Sequence, residues 1–345
     1  MLRCLVPIAL FCLIGLATVE GPPHDRRTQQ ISYILEGFAK NRDAFDVCTC
    51  RFTYVRGTAA SLNDALKGTV AGATPQYGVW LVKGRKYFCQ LHPDEGRAAQ
   101  AFKEAYTRSL SRGDKVFSTP GWVQSLVYMS DGSYHLSYNG LARGGQLTPP
   151  GRAGESPAVT PWKFALSSES MHPAVRIKEC LDGKYFGHLK NPGQIQGNDP
   201  LTVEVADQEA PSDQHWHSAY TFDPAKGFLP VFMAFDSKKR GRVMEVHILE
   251  CRQCSKGRWF PIHCICVVYP RNGGSFDVTD MKVTQLDVDK APREESFAFT
   301  VPERSQLHDN DLKPGGAITT VNKGDRIGLN DLRRLYIECL QNFKR

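Results

Sequence analysis

The sequence predicts an α+β, β-rich fold whose strands run antiparallel in a meander. Three observations point there. Short runs of alternating aromatic and aliphatic residues recur along most of the 345 residues. Compact turn chemistry separates them, as in Asp131-Gly132, Asp223-Pro224-Ala225-Lys226-Gly227 and Asn272-Gly273-Gly274. Helical periodicity is confined to a few stretches, chiefly Arg26–Arg42 and the C-terminal end. Connections this short favour antiparallel neighbours, because a parallel crossover needs many more residues.

The chain opens with a basic start, the apolar run Leu5–Ala17 and small residues before Gly21-Pro22-Pro23. That pattern reads as a secretory signal peptide over residues 1–21. The run is shorter than the about 20 residues a membrane-spanning helix needs. The expectation is an exported chain, soluble once the peptide is removed. An amphipathic helix follows, with Ile31, Ile34, Leu35 and Phe38 on one face. From Phe45 the period switches to two, giving a strand over Val47–Val55. A hairpin of Tyr77–Val82 and Tyr87–His92 closes around Lys83-Gly84-Arg85-Lys86, and a helical stretch then aligns Ala98, Ala101, Phe102, Ala105 and Tyr106.

The strongest local signal comes next. Trp122–Ser130 and Ser133–Tyr138 are joined by nothing but Asp131-Gly132, and such a pair supplies the positive φ angles of a two-residue turn. That turn sets Met129 against Tyr134, Val127 against Leu136 and Ser125 against Tyr138. One face is then aromatic and aliphatic, while the other carries Leu126, Tyr128, His135 and Ser137. Gly140–Pro157 reads as a flexible loop, and Thr160-Pro161 starts a helix bearing Trp162 and Phe164. Strands follow at Lys184–Leu189, Leu201–Ala206, Gln214–Phe222, Phe228–Phe235, Val243–Cys251, Trp259–Tyr269, Phe276–Val288 and Ser296–Val301. Past Pro302 the chain is polar and irregular until a last helix aligns Leu329, Leu332, Leu335, Tyr336, Cys339, Leu340 and Phe343.

Composition sets the class. The chain is 41% hydrophobic and 23% charged, with a net charge of +7 that survives signal removal. So mild an excess fits loose attraction to an anionic membrane surface better than nucleic-acid binding, which shows a concentrated basic stripe. No Gly-x-Ser-x-Gly elbow and no His-Glu-x-x-His occur, so the sequence offers no catalytic residues and calls for no cofactor.

Four stretches together resemble the periplasmic lipoprotein-sorting carriers of the LolA type. They are Phe45–Thr53, Leu81–Glu95, Ser125–Asn139 with its central Ser130-Asp131-Gly132, and Ser296–Pro302 trailed by His308-Asp309. Thr160-Pro161-Trp162 also sits where that family starts a short helix. The resemblance implies an incomplete antiparallel β-barrel, a curved open sheet with helices covering its concave face. It assigns residues 22–302 to that domain and leaves 303–345 as a polar connector and terminal helix. It also implies a periplasmic carrier that shields lipid or lipoprotein acyl chains. The family's hairpin commonly has an arginine directly after the lysine, where this chain has Gly84 and then Arg85.

A cavity for hydrocarbon is physically sensible. Burying a sixteen-carbon chain is worth on the order of 10 kcal/mol before ordering costs, at about 0.8 kcal/mol per methylene. Candidate wall residues are Trp80, Val82 and Phe88 on one hairpin, and Tyr134, Leu136 and Tyr138 on the other. Ile34, Phe38, Trp162 and Phe164 are the candidate lid. The same side chains also suit a packed core with no opening, as in an envelope protein of structural or sensory role.

Cysteines leave a choice open. Cys251-x-x-Cys254 followed by Cys264-x-Cys266 has the ligand count of a zinc site, and a metal-dependent enzyme is the reading that would follow. Cross-strand disulfides in an oxidising compartment account for the same pattern. His215-Trp216-His217 has a spacing that can bind a metal, with a polar strand face as the alternative, and Lys238-Lys239-Arg240-Gly241-Arg242 reads as a solvated turn.

Overall fold

The computed structural model describes residues 23–43, 47–73, 75–99, 126–149, 200–206, 216–271, 273–302, 304–309, 317–321 and 325–343. Helix α1 (Pro23–Asp43) precedes β1 (Val47–Ala59), and α2 (Leu62–Leu66) follows it. Then come β2 (Gln76–Lys83), β3 (Lys86–His92), β4 (Leu126–Ser130), β5 (His135–Asn139) and β6 (Gly144–Thr148). The second series is β7 (Leu201–Ala206), β8 (Trp216–Asp223), β9 (Leu229–Ser237), β10 (Gly241–Gln253), β11 (Trp259–Val268) and β12 (Phe276–Asp287). Last come β13 (Ala298–Thr300), β14 (Ser305–Asp309), β15 (Ala317–Val321), β16 (Arg326–Gly328) and helix α3 (Leu332–Phe343).

Fourteen of these strands make one open sheet in the order β15-β14-β6-β5-β4-β3-β2-β1-β12-β11-β10-β9-β8-β7. Two meanders thus meet at β1, which pairs with β2 on one side and β12 on the other. Each meander is antiparallel throughout; β14 joins β6 in parallel, and β13 pairs with β16 in a separate ribbon. The sheet curls strongly. Trp80 of β2 and Phe260 of β11 have ring centroids 6.5 Å apart. Three strand spacings lie between their backbones, about 14 Å in a flat sheet.

Alternation along the strands sorts the core onto two faces. On one, Ile31, Ile34 and Phe38 of α1 pack against Cys50, Phe52, Trp80, Tyr220, Phe222 and Met233. On the other, Leu332, Leu335 and Cys339 of α3 pack against Leu81, Phe88, Met129, Leu136, Tyr138 and Leu307. A smaller cluster beneath α2 joins Ala59, Ala65, Ile265, Val267 and Val278 on that second face. Strand β2 is therefore buried on both sides, and its central Val79-Trp80-Leu81 run is continuously apolar for that reason.

Several expectations change in the structure. The β4–β5 register pairs Met129 with Leu136 and Val127 with Tyr138, two residues from the pairing the Asp-Gly turn suggested. The turn spans Asp131–Tyr134, because the Asp131 carboxylate accepts from the backbone N–H groups of Ser133 (2.8 Å) and Tyr134 (2.7 Å). An Asx turn thus wins over a two-residue hairpin, and a shift by two leaves every side chain on its expected face. Within the expected loop Gly140–Pro157, Gly144–Thr148 forms β6. Beyond Pro302 the chain, expected to be irregular, supplies β14, β15 and β16. Of the helical stretch after His92, residues 95–99 are described, and the strand expected at Lys184–Leu189 lies outside the described residues.

Candidate functional site

The face beneath α1 is the concave one, and its lining follows from register. Cys50, Trp80 and Cys89 stand opposite one another across β1, β2 and β3, and Tyr128 of β4 faces Cys89. Phe52 and Tyr54 continue the same side along β1, and Met281 and Cys264 carry it into the other meander. The surface is almost wholly apolar. Its polar atoms are few and mostly donors. Burial pushes the phenols of Tyr54 and Tyr128 above their ordinary range, so both keep their protons.

Trp80 is the exception within that lining. Its side chain is 4% exposed, and its indole Nε1 has no hydrogen-bond partner. A buried N–H left unpaired costs about 1–3 kcal/mol, so a group of this kind calls for an occupant. Two further buried atoms with no hydrogen-bond partner, Thr49 Oγ1 and Gln90 Nε2, lie on the opposite face of the sheet.

The structure divides the six candidate wall residues. Trp80 and Val82 belong to the α1 face. Phe88, Leu136 and Tyr138 lie in the cluster beneath α3, with Tyr134 packed against it through a ring contact of 5.5 Å to Tyr336. They do not form one wall. The physical reason is the tight β2–β3 turn, which pairs Lys83 with Lys86 and so places Phe88 opposite Leu81 rather than Trp80. Of the lid, Ile34 and Phe38 are fully buried against the concave face. Trp162 and Phe164 lie outside the described residues. Arg85 is exposed at the β2–β3 turn, where its Cβ lies 3.1 Å from where a Cβ on Gly132 of the next hairpin would stand.

Helix α1 is fastened at its C-terminal end. The Asn41 amide donates to the Trp259 carbonyl (3.0 Å) and accepts from the Trp259 N–H (2.9 Å), behaving as one more residue of a ladder. Higher up, Phe38 meets Phe222 edge to face at 6.1 Å. No local pattern announces the Asn41 clamp. Tyr54 was readable from its alternation with Phe52.

The eight described cysteines, Cys48, Cys50, Cys89, Cys251, Cys254, Cys264, Cys266 and Cys339, are free thiols. Register explains why the β10–β11 hairpin holds no cross-strand disulfide: Cys264 faces Ile248, Cys266 faces Val246 and Cys251 faces Pro261. Burial pushes Cys251 up to about 11 and Cys266 up to about 12, so they are protonated apolar lining rather than thiolates. Among the described residues no group of three or more His, Cys, Asp or Glu side chains is placed to hold a metal ion. His217 sits 3.4 Å from Asp236 and 3.7 Å from Glu204, and His215 lies outside the described residues. Lys238, Lys239 and Arg240 form an exposed turn, whereas Arg242 is held by Asp236 at 2.6 Å and by Glu245. No described helix is long and apolar enough to cross a membrane.

No protein-family model and no curated protein matches the chain. Among solved structures it is similar to an outer-membrane lipoprotein-sorting protein domain from Vibrio parahaemolyticus, at 10% identity over 75% of this chain and 94% of that one, with a TM-score of 0.42. It is also similar to a LolA-superfamily protein from Nitrosomonas europaea, at 13% identity, 76% and 94% coverage and a TM-score of 0.39. A DUF1329-family protein from Desulfovibrio piger gives 12% identity, 77% and 96% coverage and a TM-score of 0.42.

Proposed function

We propose that this chain is an exported, non-enzymatic carrier that shields lipid or lipoprotein acyl chains against the concave face of its sheet. Trp80 carries the reading. Its indole N–H is buried in an otherwise apolar surface without an acceptor, and the carbonyl of an acyl ester or acid supplies one. Tyr54 and Tyr128 add protonated hydroxyls nearby, while Cys48, Cys50, Cys89 and Phe52 supply the water-avoiding lining. Ile34 and Phe38 are the described part of the lid. The wall is Trp80 and Val82 with these neighbours; the cargo approaches from a membrane whose anionic surface suits the chain's net charge of +7.

The test is native mass spectrometry of the full chain purified from an exporting host, followed by organic extraction. Acyl species should co-purify and be released on denaturation. Replacing Trp80→Phe keeps an aromatic ring and removes the donor, and it should lower retention of ester-bearing lipids by roughly tenfold. A protein that is clean in both forms sinks the carrier reading.

A further inference from the structure

A separate cleft lies on the other flank of α1, between that helix and the β8–β9 and β10–β11 turns. Its volume is about 660 Å³, within the size of ordinary ligand sites. Tyr33, Lys40, Phe228, Lys256 and Arg258 line it, with Glu36 as the one carboxylate. The two turns that shape it are both forced into unusual backbone. Phe228 (φ 56) and Lys256 (φ 58) are two of the four non-glycine residues with positive φ among those described. A bulky residue takes that conformation only where its surroundings impose it, and such positions gather at ligand sites.

The enforcing contacts are specific. The Phe228 N–H donates to the Asp223 carbonyl (2.9 Å), and the Asp223 side chain caps Ala225 N–H (3.0 Å) and holds Lys226 (2.6 Å). At the other turn, Cys254 N–H donates to the Arg258 carbonyl (2.7 Å), and Asp289 accepts from both Arg258 and Ser255 at 2.6 Å. Arg258 is thereby committed to bracing the turn. Lys40 and Lys256 are exposed at the cleft and make no ion pair among the described residues. The apolar wall is the Phe228 ring, 8% exposed, with the Tyr33 ring edge-on to it at 5.1 Å.

Two ammonium groups with no ion pair among the described residues, beside an aromatic wall in a cleft too large for a bare ion, define the ligand's chemistry. We infer that this cleft binds a phosphate-type anion bearing an apolar portion, with Lys40 and Lys256 on the anion and Phe228 and Tyr33 against the apolar part. A phospholipid headgroup with the first carbons of its chains has that chemistry, and this choice of source rests on the carrier reading. Two point charges at the rim favour an anionic over a zwitterionic headgroup.

Calorimetry on the full chain decides it, with three probes: dihexanoyl-phosphatidylglycerol and dihexanoyl-phosphatidylcholine below micelle formation, and inorganic phosphate. The anionic lipid should bind at least tenfold more tightly than the zwitterionic one. Lys40→Gln with Lys256→Gln should weaken it roughly tenfold per lysine, without changing the circular dichroism spectrum. Equal binding by wild type and double variant overturns the site, and so does equal binding of the two lipids. If inorganic phosphate binds as tightly as the anionic lipid and is lost in the same variant, the apolar half of the inference fails. Acyl species retained on the concave face should survive in the double variant. Their absence from the wild type counts against the carrier reading alone, since the calorimetric comparison stands without it.

Discussion

Strand β2 separates two surfaces that are assembled on different terms. Beneath α3 nearly every element is tied to another. The Tyr138 hydroxyl donates to Ser305 Oγ at 2.6 Å, which donates to the Pro302 carbonyl at 2.8 Å. The Cys339 thiol reaches the Leu307 carbonyl at 3.5 Å, and Asp331 caps the entry to α3 through Gly328 N–H at 2.7 Å. Beneath α1 the helix itself is tied through the Asn41–Trp259 pair, and the Trp80 indole N–H has no hydrogen-bond partner. Both sides carry unpartnered buried atoms, but beneath α3 Thr49 Oγ1 and Gln90 Nε2 sit in a surface whose elements are cross-tied, whereas beneath α1 the indole sits in a lining that few polar ties hold in place. A surface meant to exchange contents needs the second kind, because loosely tied apolar elements can part around a ligand that supplies the missing acceptor.

The largest effect that separates the two surfaces is expected from the cross-tied one. Phe299 is 2% exposed and lies 5.1 Å from the Tyr138 ring. Phe299→Ala removes the ring from a site with no slack, and should cost about 4 kcal/mol in urea unfolding. Phe38→Ala removes a ring of equal size from the α1 side. It should cost less in the unloaded protein, because α1 can resettle over the concave face, and the gap should widen when acyl ligand is present. Equal losses in both states erase the distinction.

Acid should act first through the α3 side as well. Burial, helped by the Arg97 charge and opposed by Asp94, pushes His92 down from the ordinary 6.5 to about 4. The folded chain therefore binds fewer protons than the unfolded chain within that interval. The stabilisation is fully present above pH 6.5 and is lost as pH falls towards 4, on the order of 3 kcal/mol in all. Urea midpoints measured at pH 7 and pH 4.5 should differ accordingly, and His92→Leu should flatten the difference. A slope unchanged by that substitution assigns the acid sensitivity to other groups.

How much of this was legible depends on the range of the interaction. Faces of the β4–β5 hairpin were correct from alternation alone, since a register error of two residues conserves them. The division of the proposed wall was legible too: a two-residue turn at Gly84-Arg85 already puts Phe88 with Leu81. Strand β6 was missed because Gly144-Gly145 reads as a loop. Its glycine has another cause, since a Cβ on Gly145 would stand 2.8 Å from Leu307 Cδ2 and 3.0 Å from the Ser137 carbonyl. That strand needs glycine so that β14, arriving from 162 residues away (Gln306 pairs with Gly144), can dock beside it. Nothing local announces such a partner. The Asn41 clamp and the Trp80 orphan are likewise products of tertiary placement, invisible to periodicity.

A sign, rather than a size, tests how α1 is seated. Gly37 lies inside that helix, where alanine normally adds about 1 kcal/mol of stability. Here a Cβ would stand 2.2 Å from Cδ2 of the buried Phe228 ring. The ring cannot retreat, because its backbone is held by Asp223. Gly37→Ala should therefore destabilise by about 1–2 kcal/mol, with faster amide exchange along α1. Combining it with Phe228→Leu should recover most of the loss. A gain in the single variant means that α1 does not press on the ring.

The smallest expected effect sharpens the comparison from within α3 itself. Arg334 bonds Glu338 at 2.7 Å and Asp331 at 3.3 Å, an arrangement that looks like reinforcement of the helix. Its side chain is 57% exposed, so water and salt screen the pair and holding the long side chain still costs entropy. Arg334→Ala should change unfolding free energy by only about 0.3–0.5 kcal/mol, and 0.5 M salt should remove most of that. Leu335, the next residue, is 3% exposed against Leu307 and its neighbours, and Leu335→Ala should cost about 3 kcal/mol at any ionic strength. Adjacent positions on one helix thus differ roughly six- to tenfold, because what fastens α3 is the apolar stripe it turns to the sheet. If the two variants fall together, the anchoring of that side is electrostatic, and the contrast with α1 must be drawn from charge rather than burial.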